Sequence, residues 1–228
     1  MIQMDSLRKR AFQGLAQFLV ALAVLLFLPA WSVRYWQAWV FWFEFSLLVT
    51  SITVYLLRND PGLIERRLKA GPLAEKQKQQ KIIQWFANFF FVLLILFPGV
   101  DHHFAWSHLV LPAVVVGDVL VALGLGIVFL VFRENSYTSG TIEVSEEQRV
   151  VSTGPYCLVR HPMYSGAILL LIGIPVALGS SWGLLVCVPM VGVIVWRLRD
   201  EEEYLSKNLP GYVEYCVTTR NRLVPGIY

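Results

Sequence analysis

The chain has 228 residues, of which 56% are hydrophobic and only 15% are charged, and its formal net charge is +3. Soluble domains are about 45–50% apolar and about 25% charged, so this composition excludes a disordered chain and argues against a soluble globular domain. It favours a polytopic membrane protein. No stripe of Lys and Arg alternates with aromatic residues, so we expect no binding to nucleic acid.

Five apolar runs approach or exceed the length of about 20 residues that a bilayer-spanning helix needs. In chain order they are 15–31, 38–57, 82–100, 109–132 and 164–196. The last is too long for one upright helix and is interrupted by Gly179, Gly183 and two serines, which predicts a helical hairpin. We therefore predict an all-α, polytopic integral membrane helical bundle with five to six transmembrane segments.

The distribution of Lys and Arg predicts the orientation of these segments. Of the 19 such residues, 18 fall on one side when six segments alternate across the bilayer, and Arg34 is the exception. Both termini and the loops 59–80 and 133–163 are then cytoplasmic, and we place the chain in a bacterial inner membrane. The tail 197–228 is polar with apolar residues at helical spacing, which predicts a cytoplasmic amphipathic helix lying against the membrane or the other loop.

Two clusters of charged residues border the predicted hairpin. Arg160 and His161 directly precede Pro162, a residue tolerated in the first turn of a helix, and helix N-termini attract anions. Arg197 and Glu201 leave the second arm with helical spacing. A hairpin returns its second arm beside its first, so cations and carboxylates would meet in a pocket suited to a zwitterionic ligand. The alternative is that both clusters are solvated flanks of membrane helices.

These clusters belong to a longer motif. It consists of Gly154-Pro155-Tyr156-x3-Arg160-His161-Pro162-x-Tyr164-x-Gly166, then Arg197-x3-Glu201-Glu202, then Leu209-Pro210-Gly211-Tyr212, and then Arg222-Leu223-x-Pro225-Gly226. The combination resembles the isoprenylcysteine carboxyl methyltransferase family, whose bacterial members share this C-terminal core with the phospholipid methyltransferases. The resemblance divides the chain into transmembrane helices with a cytoplasmic loop (1–131) and a cofactor-binding core (132–228) within one structural domain.

The resemblance implies S-adenosyl-L-methionine as the cofactor and a lipophilic or small methyl acceptor at the bilayer. The implied cofactor-binding residues are Gln148, Arg149, Val150, Val151, Tyr156, His161, Pro162, Met163, Tyr164 and Glu201. Glu201 would bind the ammonium or ribose end of the cofactor, Arg197 would steer the acceptor carboxylate, and Arg160 would assist either. Thr141 also comes near the cofactor in a looser alignment.

Several alternatives stay open at this point. The acceptor implied by the resemblance is an isoprenylcysteine-like carboxylate, but a thiol, an amine or a phospholipid headgroup is compatible with the residues. The end of the tail is also similar to sterol reductases, which use NADPH, and a non-enzymatic membrane protein is a further alternative. Asp101, His102 and His103 lie on the opposite face, and we predict no metal site there. Glu44 and Asp118 are either functional or paired inside the bundle.

Overall fold

The computed structural model describes residues 2–69, 78–138 and 148–227. Within these ranges the secondary structure is helical and includes no β-strand. The helices are α1 (Ile2–Ala30), α2 (Trp36–Asn59), α3 (Pro61–Leu68), α4 (Lys78–Phe104), α5 (Leu111–Glu134), α6 (Pro162–Ala177), α7 (Leu184–Asn208) and α8 (Tyr212–Thr218), with a short 3₁₀ turn at Gly154–Cys157. The all-α prediction is confirmed.

The helices α1, α2, α4 and α5 are long and apolar enough to cross a membrane. The helix α6 is a shorter apolar helix of 16 residues, and α7 is apolar in its first half. The chain turns between α6 and α7 at Gly179, whose φ of +73° suits glycine. The predicted hairpin is therefore present, and the protein is a polytopic helical membrane protein.

The tail differs from the sequence prediction. Residues 197–208 continue α7 without a break, because they include good helix formers and neither Gly nor Pro interrupts them. The chain then turns at Pro210 and Gly211, where Gly211 has a φ of +84°, and only α8 follows as a separate helix. The expectation of one amphipathic helix over 197–228 is therefore wrong, although the tail does pack against the loop that precedes α6, as predicted.

The helices α5 and α6 pack together through glycines. A Cβ atom placed on Gly117 would lie 2.1 Å from the backbone nitrogen of Ala177, and one placed on Gly124 would lie 2.7 Å from the carbonyl oxygen of Gly166. Small residues at these positions let the two backbones approach closely, as in other membrane helix pairs. This contact gives Gly124 a role in helix packing.

Replacing Gly117 by Ala is therefore expected to destabilise the bundle. The added methyl group would meet backbone atoms of α6 that cannot turn away, and overpacking of this kind costs about 1–3 kcal/mol. Thermal unfolding in detergent should show a lower Tm for the variant. Gly126→Ala is the matched control, because no described atom lies within 4 Å of a Cβ at that position. Equal Tm values for the two variants would contradict a close α5–α6 contact.

At the end of the bundle opposite to the tail, Asp101 connects two loops. Its carboxylate accepts hydrogen bonds from the backbone N–H of Ser107 at 2.8 Å, from the Ser107 hydroxyl at 2.7 Å and from the Ser180 hydroxyl. The ring of His102 stacks on Tyr35 with centroids 4.0 Å apart. Asp101 thus fixes the hairpin tip to the α4–α5 loop, which gives this polar group a structural role.

Glu44 of α2 and Asp118 of α5 lie beside each other inside the bundle. Of the two alternatives that the sequence left open, this placement favours the pairing, and the pair connects α2 to the helix that bears the glycine contacts.

Candidate functional site

A cavity of about 230 Å³ lies at the end of the bundle where α5 ends, α6 begins and α7 extends beyond its apolar half. It is partly open, and its wall combines charged, aromatic and aliphatic side chains. All residues singled out from the sequence line it, namely Gln148, Arg149, Val150, Val151, Tyr156, Arg160, His161, Pro162, Met163, Tyr164, Arg197 and Glu201. Thr141 lies outside the described residues.

The two predicted clusters meet through Tyr164. Its hydroxyl donates a hydrogen bond to Oε2 of Glu201 at 2.5 Å, and Nε of Arg197 donates to the same hydroxyl at 3.1 Å. Tyr164 belongs to the first turn of α6, whereas the other two residues belong to α7. The hairpin therefore places Tyr164 of its first arm beside Glu201 and Arg197 of its second arm. The acidic stretch also meets Arg160 and His161, as the sequence predicted, through Glu202.

The neighbouring carboxylate, Glu202, holds the site together rather than facing it. Its Oε1 lies 3.0 Å from Nη1 of Arg160 and 3.2 Å from Nε2 of His161, and its Oε2 lies 2.9 Å from Nε of Arg222. Burial alone raises the pKa of Glu202, but hydrogen bonds from His161 and Arg222 and the charge of Arg160 outweigh it and lower that pKa. Glu202 is consequently ionised at neutral pH and accepts from all three side chains.

The end of the tail closes over the loop that carries Arg160 and His161. The backbone N–H groups of these two residues donate to the carbonyl oxygens of Asn221 and Arg222 at 2.9 and 3.0 Å. The hydroxyl of Ser165 donates to the carbonyl of Leu223 at 2.6 Å. Three residues of the tail thus hold the start of α6 from outside the cavity, which fixes the orientation of His161.

Three tyrosines of the wall, Tyr156, Tyr212 and Tyr215, stay protonated at neutral pH. Burial raises the pKa of Tyr156 and of Tyr212 well above the ordinary range, and it raises the pKa of Tyr215 to about 12. The Tyr215 hydroxyl already donates to the carbonyl of Tyr156 at 2.7 Å. The hydroxyl of Tyr212 and Nε of Arg160 are buried and have no hydrogen-bond partner among the described residues. A ligand with hydrogen-bonding groups would satisfy both atoms.

These features fit S-adenosylmethionine. Glu201 offers an acceptor for an ammonium group or a ribose diol, while Arg160 and Tyr212 offer donors. The side chains of Val150 and Leu205 pack with Tyr212 and Tyr215 and give the wall an apolar part that suits an adenine ring. The residues present therefore fit the cofactor that the sequence resemblance implies.

The sequence analysis missed several residues of the site. The cavity is also lined by Arg67, Asn135, Tyr137, Thr138, Leu205, Leu209, Tyr212 and Tyr215. Leu205, Leu209 and Tyr212 are among the apolar residues at helical spacing in the tail, and this pattern could have placed them on its inner face. Arg67 precedes the motif by more than 80 residues, so no sequence signal connects it to this cavity.

Comparisons with known proteins support the same interpretation. Residues 112–210 match the family model of phospholipid methyltransferases. Two proteins of Arabidopsis thaliana, named protein-S-isoprenylcysteine O-methyltransferase B and A, are 28% and 29% identical to this chain over 130 residues. Each alignment covers 54% of this chain and 61% of the relative, so the chain matches about three fifths of each relative's length.

The fold defines a polytopic helical membrane protein with a cavity at one end of its bundle. Over the matched part, the chain is similar to phospholipid methyltransferases and to isoprenylcysteine O-methyltransferases, in agreement with the resemblance that the sequence motif indicates. Each of the matches bears the name of a methyltransferase, and the reductase alternative is therefore not favoured.

Proposed function

We propose that the protein is an integral membrane methyltransferase that uses S-adenosyl-L-methionine and acts on a lipophilic acceptor. The reaction that we favour is O-methylation of an isoprenylcysteine-like carboxylate. One observation carries the proposal: the residues assigned from the resemblance come from separate segments of the core, yet they line one cavity at the end of the membrane bundle.

The cofactor, when bound, supplies an activated methyl group, so the protein mainly has to position the two reactants. In this proposal Glu201 binds the ammonium or ribose end of the cofactor and is itself positioned by Tyr164. Arg197 orients the acceptor carboxylate and Arg160 assists. A carboxylate is ionised at neutral pH and needs no general base, whereas a thiol or an amine would have to lose a proton to Glu201.

We further propose that the cavity and both termini face the cytoplasm, with the bundle in a bacterial inner membrane. The bias of Lys and Arg toward the end of the bundle that carries the cavity supports this orientation. A site at this boundary receives a water-soluble cofactor from one side and a lipophilic acceptor from the other.

Two measurements on the purified full-length protein test the proposal. Calorimetry should detect binding of S-adenosylhomocysteine and no binding of NADPH. Incubation with methyl-labelled S-adenosylmethionine and a host lipid extract should then label a lipid, and mild base should release labelled methanol if the product is a methyl ester. Label that resists base would indicate an N- or S-methylated product. Binding of NADPH but not of S-adenosylhomocysteine would overturn the proposal.

A further inference from the structure

We propose that Arg67 forms a subsite for the anionic group, carboxylate or phosphate, of the lipid acceptor. This inference rests on the proposed methyltransferase function and adds to it the residue that selects a charged acceptor. Arg67 lies in α3, in the loop between two membrane helices, and precedes the segment 112–210 that the family model matches.

The position of Arg67 is fixed by the packing of α3. The helix is capped by Asp60, whose Oδ1 accepts from the backbone N–H of Leu63 at 3.0 Å. Leu63 is fully buried, and Ile64 is 8% exposed, so one face of this short helix is anchored in an apolar cluster. The guanidinium carbon of Arg67 lies 4.6 Å from the centroid of the Phe132 ring at the end of α5.

The guanidinium of Arg67 differs from its neighbours because no carboxylate of the described residues pairs with it. Its Nη1 is buried and forms no hydrogen bond within the described part of the chain. Arg160 and Arg222, in contrast, pair with Glu202, and Arg66 donates to the carbonyl oxygen of Ser136. A buried cation without a partner is costly, and an arginine remains protonated even when burial lowers its pKa, as it does here. The site therefore favours an anion beside Arg67.

The surroundings of Arg67 favour the acceptor over the cofactor as the source of this anion. Phe132 belongs to the same apolar cluster as Leu56 and Leu57 of α2, and Met163 packs against that cluster and also lines the cavity. Arg67 thus lies where the polar cavity meets apolar side chains of two membrane helices. A charged group attached to a hydrocarbon chain is the ligand that satisfies both environments.

The test compares pairs of probes that differ in charge. One pair is N-acetyl-S-farnesylcysteine and its carboxamide, and the other is dioctanoyl phosphatidate and dioctanoylglycerol. Calorimetry in detergent gives the Kd of each probe with and without S-adenosylhomocysteine. A hydrogen bond to a charged group changes affinity about tenfold or more, so we expect the wild type to prefer the charged member of one pair by about that factor. The pair that shows the preference identifies the carboxylate or the phosphate as the ligand.

The variant Arg67→Met should reduce this preference, because only Arg197 and Arg160 then remain to bind the acceptor, and it should leave the Kd of S-adenosylhomocysteine unchanged. Arg67→Lys should keep part of it, because the charge remains while the bidentate geometry is lost. The control Lys69→Met removes a charge from the same helix, but this side chain is 69% exposed and pairs with Glu65, so the preference should persist.

Three results would overturn the inference: no charge preference in either wild-type pair, an unchanged preference in Arg67→Met, or weaker binding of S-adenosylhomocysteine by that variant. A wild type that keeps the Arg67-dependent preference but binds no S-adenosylhomocysteine would refute the proposed function and leave the anion subsite standing.

Discussion

Replacing Glu202 by Gln is expected to lower the Tm of the protein strongly, by an amount equivalent to about 3–5 kcal/mol. The carboxylate is only 11% exposed and receives hydrogen bonds from Arg160, His161 and Arg222. A neutral amide would leave two buried or half-buried guanidinium groups without their counterion. Because these cations lie at the start of α6 and in the tail, loss of the carboxylate should release both segments from α7.

Thermal unfolding in detergent measures this effect, and Glu203→Gln is the matched control. Glu203 is the next residue of α7 and pairs with Lys207, but both side chains are 68% exposed, and exposed pairs contribute about 0–1 kcal/mol. The control should therefore change the Tm little. Similar Tm values for the two variants would contradict a structural role for Glu202.

The same carboxylate should make stability depend on pH. The pKa of Glu202 in the folded protein lies below its ordinary value of 4.5, so the folded state holds the ionised form more strongly than the unfolded chain does. Its contribution is fully present above about pH 4.5 and is lost as the pH falls through the lowered pKa. The Tm of the wild type should fall in this acidic range by more than the Tm of Glu202→Gln.

The sequence was sufficient to predict the helical class, the hairpin and the cavity wall. Long apolar runs determine membrane helices because every backbone polar group in a bilayer must bond within its own segment. The hairpin then places Tyr164 beside Glu201 and Arg197, since its two arms start and end at the same side. For these reasons the meeting of the acidic stretch of α7 with the start of α6 could be predicted from the sequence, whereas the cofactor and acceptor roles of single residues rest on the family resemblance.

Other features could not be derived in this way. Glu201 and Glu202 are adjacent and chemically identical, and only the rotation of α7 about its axis decides which one faces the cavity. The fold of the tail depends on backbone hydrogen bonds of Asn221 and Arg222 with the loop before α6. Backbone hydrogen bonds do not require particular side chains, so the sequence pattern does not predict them. The position of Arg67 at the cavity likewise depends on how α3 packs against Phe132.

Replacing Glu201 by Gln is expected to weaken the binding of S-adenosylhomocysteine about 10- to 100-fold with little change in Tm. A carboxylate that binds an ammonium group contributes a charge-assisted hydrogen bond of about 1.5–3 kcal/mol, which the neutral amide cannot replace. The amide oxygen of Gln can still accept from the Tyr164 hydroxyl, so the contact between α6 and α7 should persist. Calorimetry gives the affinity, and thermal unfolding shows that the variant is folded.

The nucleoside 5′-methylthioadenosine lacks the amino-acid part of the cofactor, so its binding shows which end of the cofactor Glu201 contacts. If Glu201 binds the ammonium group, Glu201→Gln should lower the affinity for S-adenosylhomocysteine alone. If Glu201 binds the ribose, the substitution should lower the affinity for both ligands. The variant Glu203→Gln should change neither affinity, because that side chain is exposed and pairs with Lys207. Unchanged binding of both ligands by Glu201→Gln would remove this carboxylate from the cofactor site. Glu202, which already contacts Arg160, His161 and Arg222, is not available to take its place.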